Sequence, residues 1–228
     1  WQALSSSTLN NHTAKYYYQD EDGRGGVTAT SPNYPITGYV IKKYNNPMDA
    51  WTGTGARHIQ KAYPIIRYAE ILLSYAEALN NLTGPHTVEL DGQPYTMSRD
   101  KEEIKKAFNQ VRYRAGLPGL TANQLNSTPE VQKQIERERM VEFLWENRRF
   151  YDVRRWGIYE ETEQEPIRGM NPDGATKETY YQRVIPSSSS FLTRVVDKRS
   201  VWVPIPRNEM RRLPSVSYTH LRAHETSL

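Results

Sequence analysis

An apolar stripe at helical spacing in residues 64–81 constrains the fold more than any other feature of the chain. Pro64 suits the first position of a helix, and Gly84 with Pro85 would stop it. Side chains three and four residues apart share one helix face, which here would hold Ile65, Ile66, Ala69, Leu72, Leu73, Ala76 and Leu79. The alanines allow a neighbouring helix to approach closely. Further helices are therefore needed to cover this stripe.

Two such helices are predicted, over residues 100–115 and 128–149. Each begins with a side chain that can accept hydrogen bonds from the free N–H groups of a first turn. The boundary signals are Asp100 as N-cap with Glu103 in the capping-box position, Gly116 as a stop, and Thr128 as N-cap followed by Pro129. The buried face of the first of these helices would comprise Ile104, Ala107, Phe108 and Val111.

The rest of the chain is rich in turn-forming residues. Residues 1–62 are predicted to be loop-rich, with one strand at TGYVIKKY (37–44). Residues 63–157 form the helical part. Residues 158–214 are predicted to be loop-rich again, with an extended VWVPIP segment (201–206) because each proline disfavours the helical conformation in the residue before it. Asn208 could cap a short final turn.

Composition excludes several kinds of site. The chain has no cysteine, so it has no disulfide, zinc ribbon, thiol nucleophile, iron–sulfur cluster or lipid-attachment cysteine. The net charge of +4 comes from basic residues interleaved with acidic ones, which does not predict a surface for nucleic acid. His12, His58 and His86 stand apart from one another and from any metal-ligand motif. We expect no metal and no cofactor.

The two ends of the sequence give their own signals. The start at Trp1 has no methionine and no secretory-signal pattern, so we expect an N-terminal part to be missing. The segment VSYTHLRAHET (216–226) resembles the translation of a sequencing adapter, and residues 215–228 are interpreted as an artefactual tail. The H-x-x-x-H pair in that tail is therefore not interpreted as a metal site.

The acidic residues of the third predicted helix are the best candidates for catalysis. Glu142 and Glu146, with Glu136 and Glu138, could supply a carboxylate pair for glycoside hydrolysis. However, Arg139 lies three residues before Glu142, and Arg149 lies three residues after Glu146, so each carboxylate has a basic neighbour on its helix face. An adjacent arginine lowers a carboxyl pKa, which is wrong for a general acid. An ion-pair ladder is the favoured interpretation, and a carboxylate-dependent glycoside-processing enzyme is the alternative.

Four segments, in order, resemble the motifs of the SusD/RagB family, and TGYVIKKY fits a strand upstream of them. Together they span residues 37–210. After the last segment the chain lacks the closing stretch usual in that family, so we expect its C-terminus to be truncated too. The segments are YPIIRYAEILLSYAEALN (63–80), AFNQVRYRAGLP (107–118), IERERMVEFLWENRRFYDVRRWG (135–157) and VWVPIPRNEM (201–210).

The resemblance implies a mainly α fold of tetratricopeptide-like helix pairs, with an irregular loop-rich region and a few short strands, for which residues 1–214 would be the C-terminal part. It also implies a lipoprotein on the outer surface of the outer membrane, anchored by a lipid that this fragment lacks. Such a protein binds glycans, or peptides in some members, without catalysis and passes them to a SusC-like TonB-dependent transporter. The motif residues would hold the fold together: Arg67, Glu70, Glu142, Arg148 and Asp152.

The aromatic residues are the candidate ligand contacts. The chain has 16 Tyr and 5 Trp against 4 Phe, and rings with a polar group suit half-exposed surfaces that stack on sugars. Each ring could equally be packing, and a structural helical-repeat adaptor without a ligand is a further alternative. Trp145, Trp156 and Trp202 lie in the family motifs and are predicted to be core. The predicted ligand-binding residues are Tyr16, Tyr17, Tyr18, Tyr34, Trp51, Tyr180 and Tyr181.

Overall fold

Helices dominate the structure, a computed structural model, and the predicted mainly α class with a few short strands is confirmed. The residues described are 2–4, 11–13, 36–39, 41, 43–44, 46, 48–49, 56–186, 194–202 and 207–212. The helices are α1 (Tyr68–Asn80), α2 (Lys101–Arg114), α3 (Ala122–Leu125), α4 (Thr128–Glu142), α5 (Arg148–Arg155), α6 (Tyr159–Gln164), α7 (Lys177–Tyr180) and α8 (Arg207–Arg212), with a 3₁₀ turn at Lys198–Val201. The strands are β1 (Gln2–Leu4), β2 (Asn11–Thr13), β3 (His86–Leu90) and β4 (Gln93–Met97), in two antiparallel hairpins.

The core lies between α1, α2 and α4. Helix α1 packs against both of the others and is antiparallel to α4, because Arg67 at its start reaches Glu142 and Asn80 at its end donates to the carbonyl of Thr128. Each fully buried aliphatic or Phe side chain here stabilises the fold by about 1.5–3 kcal/mol relative to an exposed one. The buried apolar residues are Leu73, Ala76, Leu79, Ile104, Ala107, Phe108, Val111, Leu120, Leu125, Val131, Ile135 and Phe143.

Helix α2 begins and ends where its sequence predicts. The Asp100 side chain accepts hydrogen bonds from the N–H groups of Glu102 and Glu103. At the other end Gly116 has φ +71°, and the N–H groups of Gly116 and Leu117 donate to the two carbonyls that close a Schellman turn. Both ends depend on local hydrogen bonds only, so the sequence is sufficient to locate them.

The start of α1 differs from the prediction. The helix begins at Tyr68 rather than at Pro64, and Arg67 precedes it with extended backbone at φ −123°. The Arg67 guanidinium is bonded to Glu142 and Glu146, which holds this residue outside the helix. Ile65 and Ile66 are therefore not part of the buried stripe, and 81% and 68% of their surface is exposed.

The predicted helix over residues 128–149 is two helices. Helix α4 ends at Glu142, and the left-handed residues Trp145 (φ +65°) and Asn147 (φ +60°) turn the chain before α5 begins. The turn buries Phe143 and points Glu146 inward, while Trp145 stays 61% exposed. The prediction that Trp145 is core is therefore wrong for this chain.

A hairpin, which was not predicted within the helical part, joins α1 to α2. Asp91 (φ +52°) and Gly92 (φ +72°) form its two-residue turn, and Asp-Gly between alternating residues is the signal that could have predicted it. Pro94 faces Glu89 in the register at a non-hydrogen-bonded pair, where its missing N–H does not weaken the ladder.

The two loop-rich regions pack against each other. Of the described residues in the predicted 37–44 strand, 37–38 and 43–44 lie in turns or bends, and residues 39 and 41 have no regular structure. The N–H of Met170 donates to the carbonyl of Thr37, and a single antiparallel bridge joins Gly169 to Val184. The described part of the 158–214 region contains three short helices and a 3₁₀ turn, with Asn208 inside α8 rather than at its cap. Residues 203–206 of the predicted extended segment lie outside the described part.

Candidate functional site

Two of the acidic residues that could have been catalytic, Glu142 and Glu146, are held in an ionic network where their own side chains are buried. Arg67 bonds Glu142 at 2.7 Å and Glu146 at 2.8 Å, and Lys43 also donates to Glu146. The Glu142 side chain is 10% exposed and that of Glu146 is 5% exposed. Arg114 pairs with Glu142 from the other side.

A second part of the network joins α5 to α4 and α1. The Arg139 guanidinium donates two hydrogen bonds to the Asp152 carboxylate, at 2.9 and 3.1 Å. Arg155 donates to both Asp152 and Glu77, and the Trp156 indole N–H donates to Glu77 at 2.7 Å. Trp156, which was predicted to be core, is only partly buried, and its indole N–H helps to hold α5 against α1 through Glu77.

The ion pairs predicted along one helix are instead made between helices. Arg139 pairs with Asp152 rather than Glu142, and Glu146 pairs with Arg67 and Lys43. The predicted structural role of the motif residues is supported, since Arg148 bonds Glu70 at 2.8 Å. Burial opposes ionisation of Glu146, but the hydrogen bonds from Arg67 and Lys43 outweigh it and leave its pKa below the ordinary value. Such a carboxylate is unsuited to act as a general acid.

The stability of the chain is expected to fall in acid because of Glu77 and Glu146. Burial opposes the ionisation of Glu77, but hydrogen bonds from Arg155 and Trp156 outweigh it, so its pKa is also lowered. A carboxyl whose pKa is lower in the folded state stabilises the chain above its unfolded pKa of about 4.3, and this stabilisation is lost as pH falls through the folded value. Urea unfolding at pH 7, 5, 4 and 3 should therefore show a decline below about pH 4.5. If the unfolding free energy of the Glu77→Gln variant fell with pH as steeply as that of the unchanged chain, this expectation would be contradicted.

A surface cleft lies beyond the end of α5. Gly157, with φ +72°, follows the helix, and its N–H and that of Ile158 donate to the carbonyls of Arg154 and Val153 in a Schellman turn. The chain then enters α6, which contacts the 3₁₀ turn. These segments form a half-open surface cleft of about 450 Å³. The cleft is lined by Gly157, Tyr159, Glu160, Glu161, Gln164 and Val201.

Arg154 holds the two walls of this cleft together. Its guanidinium lies between the rings of Phe150 and Tyr159, 3.7 and 4.3 Å from their centroids. It also donates hydrogen bonds to the carbonyls of Ser200 and Val201, both at 3.0 Å. One side chain therefore joins α5, α6 and the 3₁₀ turn, which fixes the position of the Tyr159 ring.

The lining of the cleft can bind a ligand rich in hydroxyl groups. Tyr159 offers a ring and a phenol, Gln164 offers both a donor and an acceptor, and the carboxylates of Glu160 and Glu161 offer acceptors. Among the described residues, no group of three or more His, Asp and Glu side chains could hold a metal ion. The chemistry that this lining supports is recognition by hydrogen bonds and ring contact.

Of the predicted ligand-binding residues, the structure describes Tyr180 and Tyr181, and neither of these two lines the cleft. Tyr180 is 4% exposed, and its hydroxyl donates to the carbonyl of Gly38. Tyr181 is 52% exposed and packs edge-on against the Tyr180 ring. Their role in binding stays a prediction, as does that of the five residues outside the described part: Tyr16, Tyr17, Tyr18, Tyr34 and Trp51.

Trp202 also differs from its prediction as a core residue, since 63% of its surface is exposed. It follows Val201 directly, so an exposed indole is adjacent in sequence to a cleft-lining residue. This cleft was not predicted from the sequence. The local signal for one wall was Gly157, which ends α5 and precedes the YEETEQ segment.

The fold and the site define the chain as a domain of packed helix pairs with a polar surface cleft. It belongs to the SusD family, whose model matches residues 1–219. The crystal structure of a SusD-like protein from Bacteroides fragilis NCTC 9343 is similar, with 28% identity and a TM-score of 0.60 over 93% of this chain. The chain spans 35% of the length of that protein. No protein among the curated sequences matches the chain.

Within the described residues, none of the helices has the length and the apolar composition needed to cross a bilayer.

Proposed function

We propose that this chain belongs to a nutrient-binding protein of the bacterial outer membrane that captures oligosaccharides and leaves them chemically unchanged. Membership of the SusD family supports a nutrient-binding role. In this proposal the whole protein is anchored by a lipid at the cell surface and passes its ligand to a SusC-like TonB-dependent transporter. Members of the family work with outer-membrane transporters.

The observation that carries the proposal is the composition of the cleft. A ring held in place by Arg154 can contact the apolar face of a pyranose, and the neighbouring carboxylates and amide can satisfy its hydroxyl groups. The absence of chemical change is supported by the ionic network, because Glu142 and Glu146 are already bound to arginine side chains. Their hydrogen-bonding capacity is used to hold helices together.

We expect Tyr159→Ala to weaken oligosaccharide binding by about tenfold, because a positioned ring contributes about 0.5–1.5 kcal/mol beyond the area it buries. Isothermal titration against a panel of oligosaccharides and oligopeptides measures this. Tyr68→Ala is the matched control, because the Tyr68 ring is 70% exposed at the start of α1. The other end of α1 carries Glu77, which accepts a hydrogen bond from Trp156, the residue before the cleft residue Gly157. Binding of peptides but of no sugar would place the protein with the peptide-binding members of the family. If Tyr159→Ala and Tyr68→Ala weakened binding equally, the cleft would be excluded as the oligosaccharide-binding site.

A further inference from the structure

The cleft has an acidic lining, which bears on which oligosaccharides it can accept. Glu160 and Glu161 are consecutive residues in the first turn of α6, and both line the cleft. Gln164, Tyr159, Gly157 and Val201 complete the lining, so no lysine, arginine or histidine is among these residues. The formal charge of this lining at neutral pH is therefore negative.

Two arginines beside the cleft, Arg154 and Arg194, are committed to other partners. Arg154 is stacked between two rings and donates to the carbonyls of Phe150, Ser200 and Val201. Arg194 bonds the Glu163 carboxylate at 2.7 Å and also donates to the carbonyl of Glu165. Within the described part of the chain, neither Glu160 nor Glu161 takes part in an ion pair, and so neither carboxylate is neutralised there.

Acidic residues in a first turn are common, because they offset the partial positive charge at the start of a helix. Helix α2 provides the comparison, since Glu102 and Glu103 occupy its first turn. There, each carboxylate has a lysine one turn away: Lys105 lies 3.7 Å from Glu102, and Lys106 lies 3.3 Å from Glu103. The pair on α6 lines the cleft, and the described residues place no such lysine in an ion pair with it.

We infer that Glu160 and Glu161 make the cleft selective for oligosaccharides without acidic groups and exclude uronic-acid or sulfated chains. An anionic sugar would bring like charges close to the two carboxylates, and like charges repel each other. Neutral hydroxyl groups, in contrast, donate hydrogen bonds to carboxylates, and these are stronger than bonds between neutral groups. This inference rests on the proposed oligosaccharide-binding function.

The test compares probes of matched length that differ in charge. Titration calorimetry at low salt with a hexamer of neutral galactose and a hexamer of galacturonic acid should show binding of the acidic hexamer about tenfold weaker. The Glu160→Gln, Glu161→Gln double variant should narrow that ratio to within about twofold, and so should 0.5 M salt, because salt screens exposed charges. The Glu102→Gln, Glu103→Gln double variant removes the same charge from the first turn of α2 and should keep the full ratio.

The outcomes separate this inference from the proposed function. Equal binding of both hexamers, or a ratio that the Glu160, Glu161 variant leaves unchanged, would overturn the selectivity while leaving oligosaccharide binding intact. A ratio reduced equally by the α2 variant would assign the effect to net charge and also overturn it. If no neutral or acidic oligosaccharide binds, the proposed function and the selectivity both fail.

Discussion

Replacing Arg139 with alanine is expected to lower the free energy of unfolding by about 3–5 kcal/mol, which is the usual effect of breaking a buried ion pair by removing one partner. The side chains of Arg139 and Asp152 are only 5% and 4% exposed, and two hydrogen bonds join them. Arg139 also donates to the Ser74 hydroxyl on α1. Without the guanidinium, Asp152 keeps Arg155 as its one ionic partner among the described residues.

Urea unfolding followed by circular dichroism measures this change. Lys106→Ala is the control, because its pair with Glu103 is exposed at 68% and 42% and should contribute about 0–1 kcal/mol. The double variant Arg139→Met, Asp152→Leu should recover part of the loss, since apolar residues of similar volume leave no buried charge unpaired. A loss below about 1 kcal/mol for Arg139→Ala would show that the pair does not hold α4 against α5.

Local signals explain which parts of the fold the sequence could predict. The ends of α2 depend on an Asp100 cap and a Gly116 turn, each within a few residues of the bonds it makes. The start of α1 and the break after Glu142 depend on side chains about 75 residues apart in sequence, because Arg67 is held by Glu142 and Glu146. No pattern of helical spacing contains that information, and both predictions were wrong for that reason.

The candidate site was beyond prediction for the same reason. Its walls come from residues 157–164 and from Val201, and Arg154 joins them through the carbonyls of Ser200 and Val201. In the sequence, Arg154 belongs to the segment IERERMVEFLWENRRFYDVRRWG (135–157), which gives no indication that it bridges to a turn 46 residues later. The prediction that aromatic residues in loops bind the ligand is untested, and the cleft adds Tyr159 to those candidates.

The ionic network around Glu142 and Glu146 also provides a test that separates an oligosaccharide-binding protein from a glycoside-processing enzyme. A glycoside-processing enzyme that uses Glu142 and Glu146 needs one of them protonated and both accessible to a sugar. In the structure both side chains are at most 10% exposed, and both accept hydrogen bonds from Arg67. Their removal should therefore affect folding before it affects any ligand.

Glu146→Gln is expected to lower the free energy of unfolding by about 2–4 kcal/mol, because it leaves Lys43 and Arg67 facing a neutral amide in a partly buried site. Oligosaccharide affinity per folded molecule should stay within about twofold of the original, since Glu146 does not line the cleft. Glu136→Gln is the matched control: it makes the same change on α4, where the carboxylate accepts a hydrogen bond from the neutral Gln132 side chain, and should change stability by less than about 0.5 kcal/mol. Glycan turnover that disappears in Glu146→Gln, with an unchanged unfolding midpoint, would instead support the enzyme. That result would require the carboxylate to leave its arginine in the presence of substrate, which the bonds to Lys43 and Arg67 oppose.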